Sequence, residues 1–173
     1  MFVVLSTGDQ TGTSIKVGVI SPMSGAATTM GEEIVNSINL ASTNSLSIVF
    51  EDDQCDTKKS ISAYQKLQLQ GTHVFYVACS GSVLALAPIA KQDGNLIVTA
   101  YAGSSEIRKT GDEVIRFIPD AVSVAEAMAE FASTLPISSK IGLLYEEQDY
   151  AKEAEKTISK YKQKQTGLQE FIS

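Results

Sequence analysis

Short apolar runs alternate along this chain with longer stretches in which apolar residues recur every three or four positions. IKVGVI (15–20), LSIVF (46–50), VFYVA (74–78), LIVT (96–99) and VIRFI (114–118) are brief and rich in β-branched or aromatic residues. Gly, Pro, Asp, Asn or Ser stands close to each of them, and such runs predict strands. Between them, Ile34, Val35, Ile38 and Ala41 share one helical face from Met30 onward. Ile61, Tyr64 and Leu67 share another, with Asp56 or Thr57 as the cap and Gly71 as the stop. Val83 to Ala90 predicts a third helix, bent at Pro88 and ended by Gly94.

Beyond Pro119-Asp120, Ser123 and Glu126 have the spacing of a capping box, which predicts a helix with Ala127, Met128, Phe131 and Leu135 inward and a stop at Pro136. A strand over 141–145, a polar turn, a helix carrying Tyr150, Ala154, Ile158 and Tyr161, and a last strand over 168–172 come next. Residues 1–13 lack periodicity and read as a tail. The unbroken alternation of strand and helix predicts an α/β fold: a doubly wound parallel sheet of order 2-1-3-4-5, helices on both faces, with functional loops at the carboxyl ends of the strands.

Composition narrows the function. A length of 173 residues is within the usual span of one domain, and 43% hydrophobic with 20% charged residues is ordinary globular composition. The net charge of −6 argues against nucleic acid or anionic lipid as partner, and leaves small neutral or zwitterionic molecules open. No run is long enough to span a membrane. The opening MFVVLSTGDQ lacks a basic region and a full apolar segment, so no export signal is expected in the chain as it stands. Cys55 and Cys79 each lie just beyond a predicted strand, where neighbouring strands of one sheet would bring them close; that predicts a disulfide and an oxidising compartment. The two expectations are reconciled if a leader has been removed or the start is truncated.

Candidate chemistry centres on HVFYVACSGS (73–82), an apolar strand that releases into Ser80 and Ser82 just before a helix. Two readings stand: one of these serines caps the helix, or the turn holds the carboxylate or other polar head of a small solute. In a sheet of the expected order this turn and SPMSG, with Ser24, flank the switch point, and the loop with Tyr101, Gly103 and Ser104 lies beside them. The single histidine, His73, falls at the opposite end of its strand from Ser24, Ser80 and Ser104, which argues against a Ser-His-Asp arrangement. No G-x-S-x-G, G-x-G-x-x-G or phosphate-loop pattern occurs, so neither catalysis nor a cofactor is expected. Glu51-Asp52-Asp53 reads as a solvated acidic loop next to a helix start rather than a metal cluster.

IKVGVISPMSG, FEDDQCDTKKS, the CSGS turn followed by APIA, GDEVIRFIPD and LLYEEQDYAKE, in this order and spacing, resemble the type I periplasmic solute-binding proteins. They are most similar to the leucine/isoleucine/valine-binding receptors of ABC transporters, from about Ile15 to the end of the chain. The resemblance implies two α/β lobes with a solute, an amino acid of the branched-chain or a related kind, trapped between them. It further implies no catalysis, a periplasmic or other extracytoplasmic location, and delivery to an ABC permease. A sensory ligand-binding domain of a signalling receptor shares the fold and is the alternative.

By the same resemblance Cys55 and Cys79 match an intralobe disulfide, Ser80 matches the residue that holds the ligand carboxylate, and Tyr101 falls where a backbone carbonyl receives the ligand ammonium. Tyr150 matches an aromatic contact from the second lobe. Gly103 stands where those receptors carry a threonine, with Ser104 next to it to compensate, and Met30 where an aromatic lines the side-chain pocket. The family needs roughly twice this length. The expected division is therefore a tail (1–13), a first lobe (14–119) and a partial second α/β lobe (120–173), in a fragment, a split or degraded receptor, or one part of a complex. Weak or absent solute affinity and self-association through exposed apolar surface are expected of such a chain.

Overall fold

The five apolar runs become five parallel strands: β1 (Ile15–Ser21), β2 (Leu46–Asp52), β3 (Val74–Val77), β4 (Leu96–Thr99) and β5 (Val114–Arg116). They form one sheet of order β2-β1-β3-β4-β5, the order expected from the alternation. The structure is a computed structural model and describes residues 14–42, 45–136, 142–145 and 149–164. The helices are α1 (Thr28–Ala41), α2 (Thr57–Leu69), α3 (Ser80–Asp93), α4 (Ala121–Ser133) and α5 (Asp149–Lys164), with a 3-10 helix at Ser105–Lys109 in the loop after β4.

Side chains that alternate along the strands divide the core between the two sheet faces. Ile20, Phe75, Val77 and Ile97 pack with Tyr64 and Leu67 of α2 and Val83, Leu86 and Ala90 of α3. Val19 packs the other way, with Ile34 of α1, and Met30, Ile38, Ile48, Phe50 and Tyr76 surround that smaller cluster. Tyr64 stacks on Phe75 with ring centroids 4.4 Å apart. Its hydroxyl receives Asn95 Nδ2 at 2.7 Å and donates to Asp93, while His73 Nδ1 lies 2.8 Å from Asn95 Oδ1. Burial first, and then Asp93, push the Tyr64 hydroxyl up to about 12, against the opposing effect of Asn95. Pro88 lies inside α3 without ending it. The helix stops at Gly94, whose φ of 68° is a left-handed conformation that glycine adopts without a steric penalty.

Cys55 and Cys79 are disulfide-bonded with Cα atoms 5.6 Å apart. The geometry differs from the one expected, because β2 and β3 are not neighbours and β1 runs between them. The turn after β2 crosses over the end of β1 instead: Asp53 N donates to Ser21 O and Ala78 N to Ile20 O. Gln54 and Cys55 make that crossing with φ of 52° and 55°, left-handed values that cost non-glycine residues roughly 1 kcal/mol each. Asp52 Oδ1 and Asp53 Oδ1 hold them there by accepting the Gln54 and Cys55 amides at 3.1 and 3.0 Å.

Three local expectations differ from the structure after Pro119. Asp120, not Ser123, caps α4, its carboxylate accepting Ser123 N at 3.0 Å, because the helix begins two residues before the box. The face turned inward carries Ala121, Ala125 and Ala129; α4 packs on α5, and small side chains allow that approach. Met128 and Phe131, expected inside, are 55% and 68% exposed, and Ala127 and Leu135 are exposed with them. Residues 142–145 form no strand: a strand exists only through a ladder partner, and among the described residues the ladder ends at β2 and β5. Ile141, the turn at 146–148 and the strand over 168–172 lie outside the described residues.

Candidate functional site

The turn after β3 shows what its serines do. Cys79, in extended conformation, is the N-cap of α3, and Ser80 is already the first helical residue, so neither Ser80 nor Ser82 is the cap. Ser82 turns inward. Its hydroxyl and that of Ser60 each lie 2.8 Å from Asp53 Oδ2 and 2.7 Å from one another, in a buried cluster that ties the loop after β2 to α2 and α3. Asp53 is fully buried, which corrects the solvated reading for that acid; Asp52 and Glu51 behave otherwise. Asp52 is exposed and accepts the amides of Met23, Ser24 and Gln54, and Glu51 pairs with Lys66 at 2.7 Å. Asp53 lies near both sulfurs of the disulfide, but sulfurs bonded to each other offer no thiolate to a metal.

Ser80 faces the loop after β4, where its Oγ accepts Ser104 N at 3.1 Å. Ser104 is 3% exposed, and its hydroxyl donates to Glu153 Oε1 of α5 at 2.7 Å while Ser105 N donates to Glu153 Oε2 at 2.8 Å. Burial alone would raise the Glu153 carboxyl; the Ser105 amide and the Ser104 hydroxyl outweigh it and hold the group below the usual glutamate range. Gly103, one residue earlier, is buried against Tyr150. A Cβ there would lie 2.6 Å from two atoms of the tyrosine ring, so the position admits only glycine while the ring is in place.

The loop is braced from below. Arg116 donates to Ser104 O at 2.8 Å and to Asp120 Oδ2 at 2.9 Å, and Ala121 N donates to Gly103 O at 2.8 Å. Arg108 bonds the same Asp120 carboxylate. Burial would raise Asp120, but Arg108, the Ser123 amide and Arg116 lower it to about 2.

The remaining expected residues lie apart from this cluster or at its margin. Tyr101 is 45% exposed and its hydroxyl donates to Glu33 Oε2 of α1 at 3.3 Å; burial, then Glu33, raise that hydroxyl above the usual tyrosine range. Met30 packs against the Val19–Ile34 cluster. Ser24 bonds Asp52 and receives Gln54 Nε2 at 2.5 Å, so its polar contacts are with the acidic loop rather than with Ser80 or Ser104. An open groove of about 330 Å³ beside α2, lined by Glu51, Asp52, Lys58, Lys59 and Lys66 among others, contains none of the expected residues.

The structure thus joins Ser80, Gly103, Ser104 and Tyr150 and adds Glu153, which the sequence reading missed. The signal for it was present: Glu153 stands three positions after Tyr150, hence on the same face of α5. A buried hydroxyl, a backbone amide and a carboxylate gathered at the carboxyl end of β3 and β4 can fix a polar group by hydrogen bonds. No histidine stands among these groups to activate either serine.

The sheet order defines the lobe of an open doubly wound α/β fold, with this polar cluster at the carboxyl ends of β3 and β4, beside the switch point. The family model for periplasmic binding proteins matches residues 14–171, and this chain belongs to that family, of the type I architecture. A solute-binding protein of an ABC transporter from Rhodopseudomonas palustris, in complex with 3,4-dihydroxybenzoic acid, has a TM-score of 0.77 at 21% identity, covering 86% of this chain and 43% of its own. A leucine-binding protein from Thermotoga maritima has a TM-score of 0.74 at 20% identity, covering 91% of this chain and 48% of its own. A branched-chain amino acid transporter substrate-binding protein from Streptococcus pneumoniae, in complex with isoleucine, has a TM-score of 0.70 at 20% identity, covering 92% and 48%. This chain therefore spans about half the length of the structures it resembles. No curated protein matched it.

Proposed function

We propose that the chain is the solute-binding component of an ABC transporter, working outside the cytoplasm and handing a small carboxylate solute, an amino acid of the branched-chain kind or a related acid, to a permease. The observation that carries this reading is the pair of donors Ser104 Oγ and Ser105 N, aimed together at the carboxyl end of β3 and β4 and backed by Ser80, in a member of the periplasmic binding protein family. The disulfide suits an oxidising compartment. No helix among the described residues is long and apolar enough to cross a membrane. In this reading residues 14–119 form the first lobe and residues from 120 onward begin the second. Because the chain corresponds to under half of each matched receptor, it supplies one wall of a cleft, and solutes bind it more weakly than micromolar.

Calorimetry and thermal-shift measurements with leucine, isoleucine, valine and hydroxybenzoates test this. Weak, saturable binding of at least one of them is expected, and Ser80→Ala, which removes the acceptor that holds the Ser104 amide, should lower its affinity by about 0.5 to 1.5 kcal/mol, the contribution of a neutral hydrogen bond. Solute binding unchanged by Ser80→Ala would remove the serine from the site. Micromolar binding of leucine would contradict the one-wall reading.

A further inference from the structure

The donors that a carboxylate solute would use are already engaged. Ser104 Oγ and Ser105 N bond the two oxygens of Glu153 at 2.7 and 2.8 Å, a two-point grip on a carboxylate. Ser80 backs the pair by accepting Ser104 N. The grip is sheltered, with Ser104 3% exposed and Gly103 sealed beneath the Tyr150 ring one turn earlier on the same helix. A side chain that places both oxygens on these donors has the chemistry of the expected ligand head while remaining part of the protein.

We propose that Glu153 is the resident occupant of the carboxylate subsite, a specificity-determining residue that an incoming carboxylate must displace. The inference rests on the reading of Ser80–Ser105 as a solute site and adds what that reading leaves open: the site discriminates against carboxylates as long as α5 stays docked. Two negative groups cannot share one pair of donors, because each oxygen of the newcomer would face an oxygen of Glu153 with no hydrogen between them. Removing the side chain, by contrast, leaves a vacancy of the size and polarity of a carboxylate, with the donors still held by Ser80 and Arg116.

Amide-resolved NMR titration of the 173-residue chain with acetate and formate, with chloride as the control for ionic strength, tests this on wild type, Glu153→Ala, Glu153→Gln and the double variant Glu153→Ala/Ser104→Ala. In Glu153→Ala the Ser104 and Ser105 amides should shift saturably with acetate, at a dissociation constant about tenfold or more below that of wild type, the loss of one charge-assisted hydrogen bond being about that large. The added Ser104→Ala change should abolish the response. Should Glu153→Ala fail to fold, Glu153→Gln, of the same shape without the charge, must still bind acetate more tightly than wild type. Equal responses of wild type and both variants, or no saturable shift at Ser105 in any of them, would overturn the proposal. If the variants take up acetate but no amino acid or hydroxybenzoate binds any form, Glu153 occupies an anion site and the solute-binding reading fails. If solutes bind wild type and Glu153→Gln alike, the solute site stands and the role of Glu153 falls.

Discussion

Asp120 shows how much one side chain can hold. It caps α4, bonds Arg108 and Arg116, and through Arg116 supports the loop that carries Ser104. Its carboxyl lies at about 2 against an ordinary 3.8, so its stabilising contribution is complete above pH 3.8 and is lost as the pH falls from there toward 2. Acid unfolding should therefore show a component in that window which Asp120→Asn removes, and at neutral pH Asp120→Ala should cost at least about 2 kcal/mol. Chemical denaturation across pH 2 to 7 checks both. Ser80 and Ser104 were legible as site residues from their positions just beyond strands. Glu153 and Asp53 were not, because a glutamate in a helix and an aspartate in an acidic run usually face water, and only tertiary contacts reveal the partners that bury them.

At the scale of elements, the turn after β2 depends on the disulfide and on two aspartates to keep Gln54 and Cys55 in left-handed conformations. With the cysteines 24 positions apart in sequence, loop closure makes the bond worth about 3 kcal/mol. Reduction, or the pair Cys55→Ser/Cys79→Ser, should lower stability by that amount in a urea melt, and native protein should show no titratable thiol. The pairing was expected, but its route over β1 was not, since the order of strands in a sheet does not say where loops travel. The α4 face was misread for a related reason: Met128 and Phe131 have helical spacing, yet the residues that α4 buries are its alanines. Phe131→Ser should accordingly change stability by less than about 0.5 kcal/mol, whereas Ala125→Leu should cost about 1 to 3 kcal/mol by forcing α5 away. Opposite results would mean that the large residues are the inward ones after all.

Taken whole, the molecule was most legible in its sheet, because strand-helix alternation and the handedness of crossovers leave few arrangements of parallel strands. The region beyond β5 was less so, since helical spacing alone does not say which face of α4 the packing of α5 buries. Phe117, Phe131 and Leu144 are 71%, 68% and 100% exposed, and we propose that exposed apolar side chains of this kind drive weak self-association, seen as a concentration-dependent sedimentation coefficient that Phe117→Ser/Phe131→Ser reduces. The central claim is that the polar cluster formed by the loops after β3 and β4 takes a small solute. The most direct measurement is an amide shift map of the 173-residue chain titrated with leucine, isoleucine and 4-hydroxybenzoate at millimolar concentration. Saturable shifts confined to residues 79–82, 101–105 and the start of α5 are predicted for at least one of them; no shifts, or shifts centred elsewhere on the sheet, would contradict the account.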